Sequence, residues 1–173
     1  VQCALLLVFY RRVMDLASPG PANRWLALLA ASCYALHPAN AETVNYVIAR
    51  SEILSTLGIV LALLLFAHGG AARRYHLYLI PAALACFSRE SGAMFAPLLV
   101  LYIVLVEPGV PLRASVPAFL VCAAIVGSGM RLATTYSPGG TSRWHYVLTQ
   151  PSVVVHYVLS LFLPLWLSAD TQW

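Results

Sequence analysis

The sequence predicts an all-α, polytopic transmembrane helical bundle, and three observations carry that prediction. Hydrophobic residues make up 61% of the 173 positions and charged residues 9%, whereas about a quarter of a soluble domain is charged. Mean hydropathy is +0.80. The apolar residues are gathered into runs whose ends carry arginine, proline and glycine, the layout of successive membrane helices and their connections. Ten basic and six acidic side chains cannot cover the surface of a water-soluble globule of this length. Disorder, collagen and a disulfide scaffold are excluded too, because the apolar content is high, glycine has no period, and four cysteines are an ordinary number.

The elements follow in order. Residues 1–10 form the end of a first helix, too short to span alone, and the chain opens at Val1 inside this run. The expectation is therefore a piece of a longer polypeptide, with 1–173 as one partial membrane domain and no soluble domain. Arg11, Arg12, Ser18-Pro19-Gly20-Pro21 and Arg24 make a basic turn. Residues 25–36 form a second helix limited by His37-Pro38. Asn40 then caps a third helix over 40–66, with Glu42 in its first turn, where a negative charge suits the helix dipole.

His68-Gly69-Gly70 and Arg73-Arg74 make a second basic loop. The next two apolar runs, 77–87 and 94–106, are each shorter than the hydrocarbon core. They are predicted to form a hairpin that turns at 88–92, below the membrane surface. Glu107-Pro108-Gly109 through Arg113 connects to a sixth helix over 115–132, and 134–150 is a polar loop. Residues 151–167 start at a favourable proline, Pro151, but meet Pro164 after about four turns. They suit an interfacial or re-entrant helix, with a short seventh span as the alternative, so the expected count is about six to seven membrane helices.

Loop charges set the orientation. Arg11, Arg12, Arg24, Arg73, Arg74 and Arg113 fall on one side with Asp15 and Glu107. Arg50, Arg89, Arg131 and Arg143 fall on the other with Glu42, Glu52, Glu90 and Asp170. The arginine-rich set is predicted to be cytoplasmic. Every basic residue is arginine, and no basic run exceeds two residues, which argues against nucleic acid as a partner. Cys3, Cys33, Cys86 and Cys122 lie in apolar stretches without metal-ligand spacing and read as small hydrophobes. No cofactor is predicted, and metal use is left open.

Chemistry concentrates in the third helix. At about 100° per residue, Glu42, Asn45, Tyr46, Ala49, Arg50, Glu52 and Thr56 share one arc, with Val44, Val47, Ile48 and Leu54 opposite. Ionisable groups at membrane depth face a water-filled cavity or other protein. Arg50 and Glu52 are two residues apart and do not face each other, so their partners must come from elsewhere. Arg89-Glu90, in the turn of the short hairpin, is the natural source, and two outward-facing segments then converge on one polar cavity. An arginine fork there suits phosphate. The carboxylates can orient it, accept a proton or hold a sugar hydroxyl. An ion-pair network that merely locks helices is the competing reading.

The order of motifs resembles a known family. His37-Pro38-Ala39-Asn40-Ala41-Glu42-Thr43-Val44, then Arg50-Ser51-Glu52-Ile53-Leu54, then Arg89-Glu90-Ser91-Gly92, then Leu148-Thr149-Gln150-Pro151 with His156-Tyr157 and Ser168-Ala169-Asp170, is similar to the polytopic part of the TMTC-like, tetratricopeptide-linked membrane glycosyltransferases. The resemblance runs through nearly the whole chain. It implies a GT-C fold and a polyprenyl-phosphate sugar donor such as dolichyl-phosphate mannose. It also implies transfer to Ser or Thr of a protein acceptor on the non-cytoplasmic side, and a repeat domain beyond Trp173. Arg89 stands where the family has lysine, keeping the charge and changing its geometry. The main catalytic acid of such enzymes is expected upstream of Val1, and Asp15, on the basic side, does not replace it.

The expected donor-phosphate contacts are thus Arg50 and Arg89, supported by Glu42, Glu52 and Glu90. Cavity lining is expected from His37, Asn45, Tyr46, Gln150, His156, Tyr157 and Asp170. Each of these has a plainer alternative: His37 as a cap or interfacial group, His156 and Tyr157 as interface anchors, Asp170 as part of a polar tail. Trp144, His145 and Tyr146 suit an aromatic belt or a sugar platform, and Arg131 and Arg143 suit lipid headgroups or the phosphate site. Two other functions share the pattern: a transporter or flippase for an anionic or lipid-linked substrate, and a membrane anchor of a tetratricopeptide-repeat protein. The all-arginine, alanine-rich usage points to a bacterial inner membrane, or to the endoplasmic reticulum if the chain is eukaryotic.

Overall fold

The computed structural model of the chain describes residues 1–38, 40 and 50–132, together with 148, 151 and 155. It is all-α, and no strand occurs among the described residues. The longer helices are α1 (Gln2–Ala17), α2 (Asn23–Leu36) and α3 (Arg50–His68). A short α4 (Gly70–Arg74) leads to α5 (Leu79–Ser88), α6 (Phe95–Leu105) and α7 (Val116–Leu132). A 3₁₀ turn, Glu90–Met94, joins α5 to α6, and another, Leu112–Ser115, precedes α7.

Local chemistry explains most boundaries. Pro81, Pro97 and Pro117 each lie in the first turn of α5, α6 and α7, where a missing N–H costs nothing because that donor has no intrahelical acceptor. Gly69 and Gly70 take φ of 71° and 53°, a left-handed backbone that ends α3 and that glycine adopts without steric cost. Two stretches differ from the sequence expectation: the second basic loop contains the short helix α4 over Gly70–Arg74, and the first helix is longer. α1 continues through Arg11 and Arg12 to Ala17, because an Arg11–Asp15 pair at 3.7 Å supports the added turn from its surface. Asp15 also accepts a hydrogen bond of 2.8 Å from the buried Asn23 amide, which donates to the Ser18 carbonyl as well at 2.9 Å. The connection to α2 is therefore a hydrogen-bonded corner rather than a loose basic loop.

The predicted hairpin turn is where the sequence put it, with α5 ending at Ser88 and α6 starting at Phe95. α3 packs on α5, α1 on α2 and on α3, and α7 closes against α5. The core runs along the α3–α5–α6 seam and is centred on Phe66, whose ring meets Tyr78 edge-on at 5.2 Å and Tyr102 at 6.0 Å. Among the described residues, two helices are long and apolar enough to cross a membrane, Arg50–His68 and the segment Leu112–Gly129 that includes most of α7. α5 and α6 are apolar but short. Only 17% of the Leu112–Gly129 window is buried within the protein, so its apolar surface largely faces outward, whereas the apolar residues of α3 are buried or half-buried apart from Leu54. Phe87, Leu101, Leu105 and Leu120 are exposed in the same way. A soluble domain avoids so much exposed apolar surface. The larger count of six to seven spans rests partly on 40–49 and 133–173, most of which lie outside the described residues.

Glycine sets the spacing of the α3–α5 pair. A Cβ on Gly58 would stand 2.7 Å from the Pro81 carbonyl and 2.9 Å from the Ala85 Cβ, and one on Gly92 would collide with the Ala85 backbone. Around Gly109 there is open space. Gly58→Ala and Gly92→Ala are each expected to destabilise the protein by about 1–3 kcal/mol, while Gly109→Ala stays near neutral. Thermal unfolding of the three variants in detergent checks this, and equal midpoints would remove the close helix approach as the determinant of the fold.

Candidate functional site

The site forms where the tip of the short hairpin meets α3. The Ser88 hydroxyl donates to the Ser51 carbonyl at 3.0 Å, pinning the end of α5 to the first described turn of α3. Arg89 follows in extended backbone between α5 and the 3₁₀ turn. Its amide donates to the Ala85 carbonyl at 3.0 Å, and its carbonyl accepts from the Gly92 amide at 2.9 Å. Its backbone is therefore held on both sides. Arg89 Nη1 lies 2.9 Å from Glu52 Oε1, so the partner expected for Glu52 is the one that the fold supplies.

This pair is open. The Arg89 and Glu52 side chains are 46% and 43% exposed, and among the described residues the other guanidinium N–H groups of Arg89 have no side-chain partner. A cleft of about 670 Å³ lies on the Arg89 side, lined by Ser88, Glu90 and Ser91 from the turn and by Ile125, Val126 and Ser128 of α7. A second cleft, of about 460 Å³, lies on the Glu52 side, lined by Gln2, Tyr34, Asn40 and Thr56. The ion pair stands between the two. Gln2 donates to the Tyr34 hydroxyl at 2.6 Å, and Asn40 donates to the Tyr34 carbonyl. These bonds tie α1 and the end of α2 into the wall of the smaller cleft.

Of the other expected contacts, Arg50 and Glu90 are exposed, Glu90 lines the Arg89 cleft while Arg50 is among the lining residues of neither cleft, and neither makes an ion pair with a described residue. His37 is half-buried and caps α2 through its backbone, its amide donating to the Tyr34 carbonyl at 3.3 Å. Glu42, Asn45, Tyr46, Gln150, His156, Tyr157 and Asp170 lie outside the described residues, as do Arg143, Trp144, His145 and Tyr146. Among the described residues, no three His, Cys, Asp or Glu side chains gather as metal ligands.

A second charged cluster, which sequence reasoning missed, lies at the opposite end of α3. Arg73 Nη2 donates to both Glu107 oxygens, at 3.1 and 2.9 Å, and to the Phe66 carbonyl at 2.7 Å. Its guanidinium stacks 4.1 Å from the centre of the Phe66 ring. The Tyr102 hydroxyl donates to Glu107 at 2.6 Å, and Arg12 reaches the Ala67 carbonyl at 3.4 Å. Here donors and acceptors are matched to one another, and the Arg73 and Glu107 side chains are only 26% and 19% exposed. The cluster is a lock between α3, α4 and α6. Its one sequence signal was that Arg12, Arg73 and Glu107 share a charge set.

No family model matches the chain, and neither the curated proteins nor the solved structures contain a match to it.

The two clusters predict stability losses of different size. Glu107→Gln removes charge from a largely enclosed, fully bonded group and is expected to cost about 1.5–3 kcal/mol. Glu52→Gln breaks a half-exposed pair and is expected to cost no more than about 1 kcal/mol. Denaturant or thermal unfolding of both variants in detergent measures the contrast. A larger loss for Glu52→Gln would make the Glu52–Arg89 pair a packing lock.

Proposed function

We propose that the chain is part of a membrane glycosyltransferase of GT-C type, which takes a sugar from a polyprenyl-phosphate donor to Ser or Thr of a protein on the non-cytoplasmic side. One observation carries this reading: Glu52 from α3 holds Arg89 from the hairpin turn at 2.9 Å while the guanidinium stays open to a cleft. An arginine oriented by a carboxylate, with donors to spare, suits a phosphate. The motif order described above supports the same reading. So does the sorting of charge along α3, with the Glu52–Arg89 pair at one end and Arg12 and Arg73 at the other.

Chemically, the bond between the sugar's anomeric carbon and the phosphate oxygen breaks, and the departing phosphate carries the developing negative charge. Arg89 and Arg50 are placed in this proposal to stabilise that charge. The acceptor hydroxyl attacks the anomeric carbon and gives its proton to a carboxylate. Glu52 and Glu90 are assigned orienting or sugar-binding roles. Glu90, Ser91 and Ser128 line the Arg89 cleft and offer partners for sugar hydroxyls. A bacterial inner membrane is the proposed location.

The test is sugar transfer from a labelled polyprenyl-phosphate donor in vesicles containing the intact protein. Arg89→Ala and Arg50→Ala are each expected to lower the rate by one to two orders of magnitude, as loss of about 1.5–3 kcal/mol of charge-assisted binding dictates. Arg89→Lys should retain part of it. Membrane insertion and the unfolding midpoint are expected to change little. An unaltered transfer rate in Arg89→Ala rejects the donor-site assignment, and anion flux without glycosyl transfer would replace the enzyme with a transporter.

A further inference from the structure

Beside the Arg89 cleft, which Cys86 lines, lies a pair of buried thiols that the proposed chemistry does not use. Cys86 of α5 and Cys122 of α7 are 6% and 4% exposed, and their sulfurs are 3.6 Å apart. They come from positions 36 residues apart and meet only because α5 and α7 pack together. Cys86 also lines the cleft, three residues before Arg89 and opposite Ile125, Val126 and Ser128 of α7. Cys3 and Cys33 are exposed and belong to other helices.

We infer that Cys86 and Cys122 form a redox-modification site, a reversible disulfide whose closure narrows the cleft beside Arg89. The oxidant is a small neutral peroxide, which the cleft admits to Cys86. The Cys86 thiolate attacks one oxygen of hydrogen peroxide; the O–O bond breaks, and the other oxygen leaves as water after taking up a proton. Cys86 is then a sulfenic acid. The Cys122 sulfur attacks that sulfur, the S–O bond breaks, and a second water leaves with the Cys122 proton. In sum, two thiols and one peroxide give one disulfide and two waters, with two electrons passing from sulfur to peroxide. A dithiol reductant reverses the modification by thiol–disulfide exchange.

The sulfurs are already in contact, so bonding them draws the sulfurs together by about 1.5 Å. That movement pulls α5, which carries Ser88 and Arg89 at its end, toward the α7 face of the cleft. Control of ligand binding by this step rests on the donor-phosphate reading above, whereas the existence of the thiol pair does not. Phosphate recognition by an oriented guanidinium is sensitive to displacements of this size, and about a tenfold loss of affinity is expected on oxidation.

The experiment uses the intact protein in lipid nanodiscs, carrying Cys3→Ser and Cys33→Ser so that only the buried pair remains. Peroxide treatment followed by alkylation and peptide mass spectrometry should reveal α5 and α7 peptides joined through Cys86 and Cys122. Cys86→Ala and Cys122→Ala should each abolish the link, and dithiothreitol should reverse it. Farnesyl phosphate binding should weaken on oxidation, recover on reduction, and be insensitive to peroxide in Cys86→Ala. Two alkylatable thiols after peroxide overturn the site. Joined peptides with equal farnesyl phosphate affinity in both states overturn its hold on the cleft. Joined peptides with no farnesyl phosphate binding in either state leave the thiol site supported and count against the donor reading instead.

Discussion

Everything at the candidate site depends on how closely α5 approaches α3. Gly58 and Gly92 both abut Ala85, one from α3 and one from the turn that follows α5. Without side chains there, the hairpin folds back on itself and its tip lies against α3. Ser88 can then reach the Ser51 carbonyl, and Arg89 can reach Glu52. The ion pair is thus a consequence of backbone approach. Small residues serve this role wherever helices associate without a strong hydrophobic drive between them, as in lipid.

The two charged ends of α3 show what distinguishes a lock from a site. At the Arg73 end, a carboxylate, a guanidinium, a phenol and a main-chain carbonyl satisfy one another within hydrogen-bond distance, and an aromatic face covers the cation. At the Arg89 end, Glu52 is the one side-chain partner that orients the cation among the described residues, and a guanidinium has five N–H donors to share. A group that is already fully partnered gains little from a ligand. One that is oriented but underused can bind an anion without first breaking its own bonds, which is the structural meaning of preorganisation.

Much of this was legible in the sequence. The turn at 88–92 was, because two apolar runs flank a short charged segment containing glycine. The Glu52–Arg89 pairing was too, because residues two apart on a helix cannot satisfy each other and few other charges lie on that side. The extension of α1 was not legible: Arg11 and Arg12 look like loop residues until Asp15 is seen one turn away and Asn23 is seen closing the corner. Arg73 with Glu107 and Cys86 with Cys122 were equally hidden. Both pairs join segments more than thirty residues apart through the packing of short helices, and neither local period nor motif spacing encodes such a meeting. Gly58 gives no signal in an apolar helix, since helical glycine reveals its purpose only when the neighbouring backbone is in view.

The position of the ion pair along α3 is itself an argument for a cavity. Glu52 and Phe66 are fourteen residues apart, about 21 Å along a helix, against a hydrocarbon core of about 30 Å. If the Arg73–Glu107 lock beside Phe66 marks one interface, the Glu52–Arg89 pair lies about 9 Å short of the other. Charges at that depth are tolerated only where water or protein surrounds them. The protein leaves this pair nearly half exposed, and the clefts on either side offer the space that water would need. In a bilayer so placed, the shortness of α5 and α6 would hold the hairpin's tip at that level, and a hairpin of full span would carry Arg89 on to the headgroups.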